Sequence, residues 1–451
     1  MKKLVLIIIL LGIGLENIFA QGHIVSFYGN FYTDQRFLSK KPNDWAWNET
    51  RLNLQLDAHL AQRAKFHTEL WFRNLGLPKI VSYHDLFNKN ITDPYNISLR
   101  EAYVKLSGFI FKKLDFKIGK QRIAWGTADR LNPTDNLNPY DFEDIMDFGR
   151  HNGSWAANFI WYFNNNFSLQ AVYIPVFQPA TLPLGIYSTA LIPSVNVPGP
   201  YHISLMTDTL LMPKFNLRNG ATLGARFKFF AGGFDFSVSY VYTYDQIPVP
   251  VNNNIIPLDM LGNIKVHSAE NFVREHILGF DLAGSIGSVG VWAEAAGFLP
   301  RKEVVMTNSV MGNPLPPTTD SLILRKQMYF KYVVGADYTF KDGSYLNFQY
   351  LHGFANERGR GNLNDYFVLS WQKSFLNDQL MLEPVTGGFV ALKWKDLRHN
   401  YAYFYVPSLT YKPNENTEIK LGAYLFGGKG NNLFSNLKNY NTLFFSVKYS
   451  F

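Results

Sequence analysis

The sequence predicts an all-β protein, a single transmembrane antiparallel β-barrel of about 18 strands (about 16 would also fit). Three observations predict it. Aromatic residues make up 16% of the chain and charged residues only 17%, against a usual charged share of about 25%. Apolar and polar residues alternate with a period of two along most of the chain. The gaps between these stretches are alternately short and long, as in barrels with tight turns at one rim and loops at the other.

The alternating stretches can be placed in order along the chain. The predicted strands cover residues 24–37, 49–61, 64–75, 97–107, 113–123, 153–163, 167–176, 219–230, 233–245, 272–283, 288–298, 326–340, 344–354, 364–375, 379–395, 400–411, 416–427 and 442–451. Their even number leaves both chain ends at one rim. Gaps after even-numbered strands are short, such as 62–63 and 164–166, whereas 76–96, 124–152, 177–218, 246–271, 299–325 and 428–441 are long. We therefore expect short periplasmic turns and long extracellular loops.

The first residues predict export. Two lysines precede the apolar run 4–15, and the small residue Ala20 precedes Gln21. This is the order of regions in a secretory signal peptide, and the run is too short to span a membrane as a helix. We expect residues 1–20 to be a cleaved signal peptide and residues 21–451 to be the barrel. The chain has no cysteine, which excludes disulfides, thiolate metal sites and thiol catalysis.

The last ten residues predict the strand that closes the barrel. Every second residue is apolar, and the residues between them are polar except for Phe444. We expect this strand to pair with strand 24–37 and to place Val447, Tyr449 and Phe451 in lipid. The same three residues are our candidates for a signal that the barrel-assembly machinery recognises.

The strand faces predict a wet lumen. In residues 49–61, one face carries mainly leucines, and the other carries Arg51, Asn53, Gln55, Asp57 and His59. The apolar face would contact lipid and the polar face water. A barrel of about 18 strands is too wide for side chains alone to fill, so we expect an aqueous channel unless loops plug it.

The loop at 124–151 carries dense charge of both signs. It holds six carboxylates and several Asn/Asp-Pro steps, which favour ordered turns. Inside a lumen, its arginines would pair with these carboxylates and form a constriction. The candidate selectivity residues are Arg122, Trp125, Asp129, Arg130, Asp135, Asp141 and Arg150. A solvated extracellular loop and a calcium site are the alternatives, although the spacing is not that of an EF-hand. We predict no metal and no cofactor.

The loop at 177–218 is unusually apolar. No Asp, Glu, Lys or Arg occurs from His151 through Thr207, and repeated prolines exclude a helix. Since an exposed loop has little reason to be so apolar, we expect it to fold into the barrel mouth and to offer a passing solute an apolar surface. The alternative is packing on a neighbouring loop or subunit.

These two loops carry a family resemblance. The relevant residues are Ile118-Gly119-Lys120-Gln121-Arg122-Ile123-Ala124-Trp125-Gly126, then Asp129, Asn132-Pro133, Asp135, Asn138-Pro139 and Asp141, and later Pro175 to Ala180. Over about residues 97–185 the chain resembles a family of porin-like outer-membrane proteins of unknown function, allied to alginate-export barrels. The resemblance implies an outer-membrane barrel with a transport role. Alginate-export barrels use basic lumen residues, whereas this loop is rich in acids. The resemblance therefore does not imply that alginate is the solute.

We expect the protein to be a porin-like channel in the outer membrane for a small solute, hydrophobic or amphipathic, rather than an enzyme. A plugged binding or scaffold barrel that serves export or surface assembly is the alternative. An outer-membrane enzyme has less support, because the sequence has no G-x-S-x-G motif and its histidines are scattered. The net charge of +8 is mild and its cations are not clustered, so no nucleic acid is expected. The expected partners are outer-membrane lipid, the assembly machinery and further copies of the chain.

Overall fold

The computed structural model describes residues 25–76, 80, 82–191, 201–310 and 319–451, so the predicted signal peptide lies outside the described residues. The strands are β1 (Val25–Leu38), β2 (Lys41–Ala61), β3 (Ala64–Leu75), β4 (Tyr95–Leu106), β5 (Leu114–Gln121), β6 (Ser154–Tyr162), β7 (Phe167–Ile174), β8 (His202–Leu211), β9 (Thr222–Ala231), β10 (Phe234–Tyr244), β11 (Val249–Pro257), β12 (Asn263–Asn271), β13 (Arg274–Ile286), β14 (Val289–Pro300), β15 (Val304–Val310), β16 (Thr319–Leu324), β17 (Tyr329–Thr339), β18 (Tyr345–His352), β19 (Asp365–Phe375), β20 (Leu380–Ala391), β21 (Tyr401–Tyr405), β22 (Ser408–Asn414), β23 (Thr417–Lys429) and β24 (Thr442–Ser450). Short helical turns cover Tyr83–Phe87, Lys89–Thr92, Gly185–Ala190, Trp394–Asp396 and Leu433–Asn436.

The predicted fold class is confirmed: the chain forms a closed antiparallel barrel of 18 strands. β21 and β22 count as one strand, because both pair with β20 on one side and β23 on the other. The break between them contains Pro407, which has no N–H to donate to a neighbouring strand.

Pairing of the last strand with the first closes the barrel. The β24 register against β1 runs from Asn30 opposite Ser450 to Leu38 opposite Thr442. Beyond it, the Gly29 amide donates to the Phe451 carbonyl (2.9 Å). Tyr449 and Phe451 are about half exposed on the outer face, whereas Phe444 is 6% exposed on the lumen side. The phenylalanine that interrupts the polar face of β24 is therefore an inward residue.

The two faces of the wall differ as expected for a barrel in lipid. On β13, outward Leu278 and Phe280 are exposed, whereas inward Ile277 and Asp281 are buried. An apolar outer face with a partly polar inner face is the pattern of an outer-membrane-type barrel. In the described part of the chain, no helix has the length and apolar character needed to cross a membrane.

The two rims are unequal, but the long connections are not all irregular. Tight turns such as 62–63 join strands at one rim, here called the turn rim, and the long connections lie at the other, the loop rim. The prediction of loops at 246–271 and 299–325 is wrong, because these ranges contain β11, β12, β15 and β16. β8, β11, β12, β15 and β16 form a second sheet in the order β16-β15-β11-β12-β8. Its β8–β12 and β11–β15 pairs are parallel, so they join residues far apart in the sequence.

Candidate functional site

The loop between β5 and β6 folds into the lumen. We call residues 122–153 the lumen segment. Trp125 is 1% exposed, and its indole N–H donates to Oε1 of Gln170 on β7 (3.1 Å). The guanidinium of Arg226 on β9 donates to the same oxygen (2.9 Å) and lies 5.1 Å from the Trp125 ring centre. These contacts hold the start of the segment against the inner wall.

Glu294 of β14 binds the middle of the lumen segment. Its Oε1 accepts from the backbone N–H and the hydroxyl of Thr134 (2.8 and 2.7 Å), and its Oε2 accepts from the amides of Thr127 and Ala128 (3.0 and 3.1 Å). Gly126 permits this approach, since a Cβ there would lie 2.6 Å from both carboxylate oxygens. Its φ of +92° also favours glycine. One inward carboxylate thus fixes a whole turn of the segment.

The far part of the lumen segment binds the facing wall. Asp144 accepts hydrogen bonds from Nη1 and Nη2 of Arg36 on β1 (2.7 and 2.5 Å). Arg36 also binds Asp34 (2.6 Å) and lies over the rings of Trp47 and Tyr424. Burial opposes ionisation of Asp144, but Arg36 holds the pKa of this carboxyl below its usual value. Because β14 and β1 are nearly opposite in the barrel, the segment crosses the lumen.

The end of the segment packs on an arginine-rich part of the wall. Asp141 accepts from Arg100 on β4 (2.9 Å) and forms an ion pair with Arg150 (3.0 Å). Burial opposes its ionisation, yet the two arginines keep the pKa of Asp141 below its usual value. The guanidiniums of Arg100 and Arg51 lie 4.1 and 4.0 Å from the centre of the Trp71 ring.

Arg122 pairs within the segment. It binds both carboxylate oxygens of Asp135 and donates to the Asn138 side chain (3.2 Å). His151 lies 3.2 Å from an Arg122 nitrogen, and burial lowers the pKa of this imidazole. Asp135 and Asn138 are almost fully buried, so this group is a structural anchor of the segment.

The first part of the apolar loop packs against the lumen segment at the mouth of the barrel. We call residues 177–191 the mouth segment. Its Thr181 amide donates to the Tyr140 carbonyl, and the Phe142 amide donates to the Thr181 carbonyl (both 2.9 Å). Tyr187 is fully buried, with its ring centre 6.4 Å from that of Trp47. Residues 192–200 lie outside the described residues, and 202–211 form β8 in the second sheet.

One half of the lumen remains open beside the lumen segment. A cavity of about 620 Å³ lies there, and we call it the passage. The wall of β18 to β22 contributes mostly uncharged polar groups: Tyr345, Asn347, Gln349, Ser370, Gln372, Thr386 and Ser408. The lumen segment contributes Asp129, Arg130, Asp147 and Arg150. Lys448 and Glu418 lie towards the turn rim, and Phe426 and Phe444 line the part towards the loop rim.

Aromatic rings lie at the loop-rim end of the passage. Phe148 of the lumen segment has its ring centre 5.8 Å from Phe434, 6.0 Å from Phe354 and 6.4 Å from Phe404. Phe434 belongs to the short helix Leu433–Asn436 and is 2% exposed. We call these four phenylalanines the aromatic cap, and Phe148 and Phe404 also line the passage.

The predicted selectivity residues lie inside the barrel but do not form one set. Asp129, Arg130 and Arg150 line the passage, whereas Arg122, Trp125, Asp135 and Asp141 fix the lumen segment to itself or to the wall. The interpretation as a solvated external loop was wrong, because the loop packs against strands on opposite walls. Most loop carboxylates are paired with arginine, and in the described ranges no three His, Asp or Glu side chains are grouped to hold a metal.

Sequence reasoning missed the wall residues that receive the loop. Arg36 and Glu294 are inward residues of ordinary barrel strands, and nothing adjacent to them in the sequence marks them. The available signal was weak: Arg36 follows the inward residues Tyr32 and Asp34, so β1 carries a run of bulky polar groups on its lumen face.

Several solved structures, among them a porin and an outer membrane protein, are similar to this chain at low sequence identity. The Salmonella typhi OmpF complex with daunomycin has 10% identity and a TM-score of 0.41, covering 95% of this chain and 97% of that one. A porin mutant of Rh. blastica has 11% identity and a TM-score of 0.40 (95% and 100%), and a loop L8 deletion mutant of OmpT from Vibrio cholerae has 11% and 0.41 (95% and 99%). At these values the likeness does not extend to function.

No curated protein matches the chain. A family model described as "Protein of unknown function (DUF1302)" matches residues 88–353, more than half of the chain. The match includes the lumen segment, the strand β7 that contacts Trp125 and the strand β14 that carries Glu294. The resemblance inferred from the loop motifs is thereby confirmed at the level of a family of unknown function, whereas the link to alginate-export barrels stays a prediction. The chain belongs to the DUF1302 family.

Proposed function

We propose that the protein is an outer-membrane channel that conducts small solutes through the passage between the lumen segment and the wall of β18 to β22. The observation that carries the proposal is the asymmetry of the lumen. The segment is fixed to β7, β9 and β14 on one side of the lumen and reaches β1 through Asp144, while the cavity of about 620 Å³ lies beside it, against the wall of β18 to β22. A segment held at both ends narrows a pore without sealing it.

The lining supports an amphipathic solute. Along the β18 to β22 wall, hydroxyl and carboxamide groups can exchange hydrogen bonds with a polar solute. Ser370 and Thr386, for example, share a hydrogen bond of 3.0 Å. At the loop rim the same path meets the aromatic cap, which offers an apolar surface. A solute with polar and apolar groups would therefore be favoured over a simple ion, both along the polar wall and at the aromatic cap.

The lumen segment supplies two unpaired charges that would help to select among solutes, in addition to Glu418 and Lys448 of the wall. Asp129 and Arg130 are exposed to the passage, and in the described part of the chain neither has an ion-pair partner within 4 Å. Arg150, by contrast, is neutralised by Asp141. Adjacent charges of opposite sign create a local field across a narrow pore, which would disfavour small ions relative to dipolar solutes.

Conductance and solute flux test the proposal together. Purified protein would be inserted into planar bilayers, and in parallel into liposomes whose swelling reports entry of neutral solutes. The proposal expects discrete conductance steps and faster swelling with small amphipathic alcohols than with sugars of equal mass. Silent bilayers and liposomes that do not swell with any solute would contradict it.

A plugged barrel that serves a surface partner is the second candidate, and the aromatic cap favours it. Phe434 is almost fully buried, and the mouth segment and the second sheet lie at the same rim. This candidate predicts no conductance even after Phe434 is shortened, whereas the channel predicts that shortening opens the path.

Location and partners belong to the same proposal. We propose export by the signal peptide, insertion by the barrel-assembly machinery and contact with outer-membrane lipid, with homo-oligomers and no nucleic acid.

We also propose no catalytic role. His67 and His352 do pair with Asp57 and Asp365, but the described neighbours of these carboxylates are Tyr, Trp and Lys groups rather than a serine nucleophile.

A further inference from the structure

A cluster of cations lies on the outer surface of the barrel at the loop rim. Successive residues of β10 and β13 alternate between lumen and exterior, with Ser239, Val241 and Thr243 buried inside. Tyr242 and Tyr244 therefore face outward, and they pair in register with His276 and Arg274. Directly below them, Leu278 is about half exposed on the apolar outer face. The cluster thus sits where the apolar wall ends.

Two arginines flank the same tyrosine. The Arg274 guanidinium lies 3.9 Å from the ring centre of Tyr242 and 4.5 Å from that of Tyr244, and it donates to the Ala221 carbonyl (2.6 Å). Arg301, which is exposed, donates to the Tyr242 hydroxyl (3.2 Å). Stacking and hydrogen bonding hold both guanidiniums in place. Nη1 of Arg274 is buried and Nη2 donates to Ala221, whereas most N–H groups of the exposed Arg301 remain available.

A third arginine is held beside them by its backbone. The Tyr173 hydroxyl donates to the Leu217 carbonyl (2.7 Å), and the Tyr244 hydroxyl donates to the Asn219 carbonyl (3.1 Å). Arg218 lies between these two fixed residues and is exposed. Its neighbours Phe215 and Leu217 are 86% and 71% exposed. Cationic and apolar groups therefore alternate on one ordered strip of the rim.

These cations differ from those of the lumen. Within the described ranges, no carboxylate lies within 4 Å of Arg218, Arg274 or Arg301, whereas the lumen arginines Arg36, Arg122 and Arg150 all have one. A guanidinium binds a phosphate with two parallel hydrogen bonds, and tyrosine with arginine is a frequent pair at the edge of a membrane. Unneutralised arginines beside exposed apolar side chains suit a ligand with a phosphate and acyl chains.

We propose that Arg218, Arg274 and Arg301, with Tyr242, form a binding site for the phosphate-bearing headgroup of a membrane lipid at the loop rim. The headgroup phosphate contacts the exposed guanidiniums of Arg218 and Arg301, Arg274 adds positive charge beside them, and the acyl chains lie along Leu278 and the outer wall. The site requires the barrel to lie in a membrane but does not require it to conduct, so it stands apart from the proposed function.

Native mass spectrometry of detergent-purified protein tests the site. The probes are diphosphorylated lipid A, the same lipid after removal of its phosphates, and inorganic phosphate alone. The test variant is Arg218→Gln with Arg301→Gln, which leaves Arg274 and its packing in place. The matched control is Lys112→Gln with Lys341→Gln, which removes two exposed cations at the turn rim. Heat-modifiable migration in gels checks that both variants form barrels.

The proposal expects wild-type protein and the control to retain the phosphorylated lipid, and the rim variant to retain at least about fivefold less, because charge-assisted bonds to phosphate are lost. Dephosphorylated lipid should bind all three proteins equally weakly. Equal retention by the rim variant and the control would overturn the site. Binding of inorganic phosphate as tight as that of the lipid would overturn the lipid as its ligand and assign a soluble anion.

Discussion

Arg36 on β1 and Asp144 in the lumen segment form a two-pronged ion pair, with N–O distances of 2.7 and 2.5 Å, deep inside the barrel. Arg36 is 2% exposed and Asp144 5%. The pair joins a loop that starts at β5 to the first strand, across the lumen from the Glu294 anchor on β14. The position of the segment, and with it the width of the passage, depends on these two attachments.

Asp144→Asn is expected to loosen the far end of the lumen segment. Removing one charge of a buried pair costs about 3–5 kcal/mol, and Asp34 next to Arg36 should keep the cost near the lower end. Hydrogen–deuterium exchange of residues 140–150 should rise while exchange of β1 stays low. The matched control is Lys373→Gln, which breaks an exposed pair with Asp342 at the turn rim. Unchanged exchange in Asp144→Asn would contradict the anchoring role.

Glu294→Gln is expected to release the middle of the segment. A glutamine would turn an NH₂ group towards N–H donors whichever way it is oriented, and each lost bond to a charged acceptor costs about 1.5–3 kcal/mol. Trypsin should then cut after Arg130, which lies inside the lumen in the intact protein. Glu418→Gln, another acid that lines the passage, is the control. Resistance of both variants to trypsin would show that Glu294 does not hold the segment.

The sequence predicts an element well when its surroundings leave a local pattern in the chain, and poorly when residues distant in the sequence hold the element in place. The barrel strands alternate because lipid lies on one side and the lumen on the other, so every second residue carries the signal. The second sheet lacks this signal, since parallel pairing such as His202 with Asn263 joins distant segments. The turn around Thr134 is likewise held by Glu294, 160 residues away. Local turn chemistry predicts that such a loop is ordered but not which wall receives it.

Phe434→Ala is expected to open the loop-rim end of the passage. Removing a buried phenylalanine costs about 3–5 kcal/mol locally and leaves a cavity among Phe148, Phe354 and Phe404. Single-channel conductance should increase at least about twofold if, as the channel proposal holds, the cap narrows the passage at this rim. Phe375→Ala, on the outer wall near the turn rim, should leave conductance unchanged. Equal conductance in both variants would locate the constriction elsewhere.

The lumen segment is expected to loosen in mildly acidic solution through His151. Burial lowers the pKa of His151 in the folded protein. As pH falls, the imidazole of a released, exposed segment therefore binds a proton at a higher pH than the buried imidazole does. The stability that depends on neutral His151 is therefore complete above about pH 6.5 and is lost progressively between that pH and the lowered pKa. Tryptic cleavage of the segment at pH 5.5 relative to pH 7.5, with each rate normalised to cleavage of a free peptide because trypsin itself slows in acid, should rise in wild-type protein. In His151→Gln this pH ratio should be close to one, and an equal ratio in both proteins would argue against His151.

In the proposed channel, solute passes between the lumen segment and the β18 to β22 wall. Because the chain has no cysteine, single cysteines can report access directly. Ser370→Cys places a thiol in the passage, and Ser239→Cys places one on the part of the wall that the lumen segment covers, near Thr134 and Gly279. Bilayer recordings would follow the current while a charged thiosulfonate reagent is added. The account predicts a stepwise loss of current for Ser370→Cys and none for Ser239→Cys; block at Ser239→Cys without block at Ser370→Cys would contradict it.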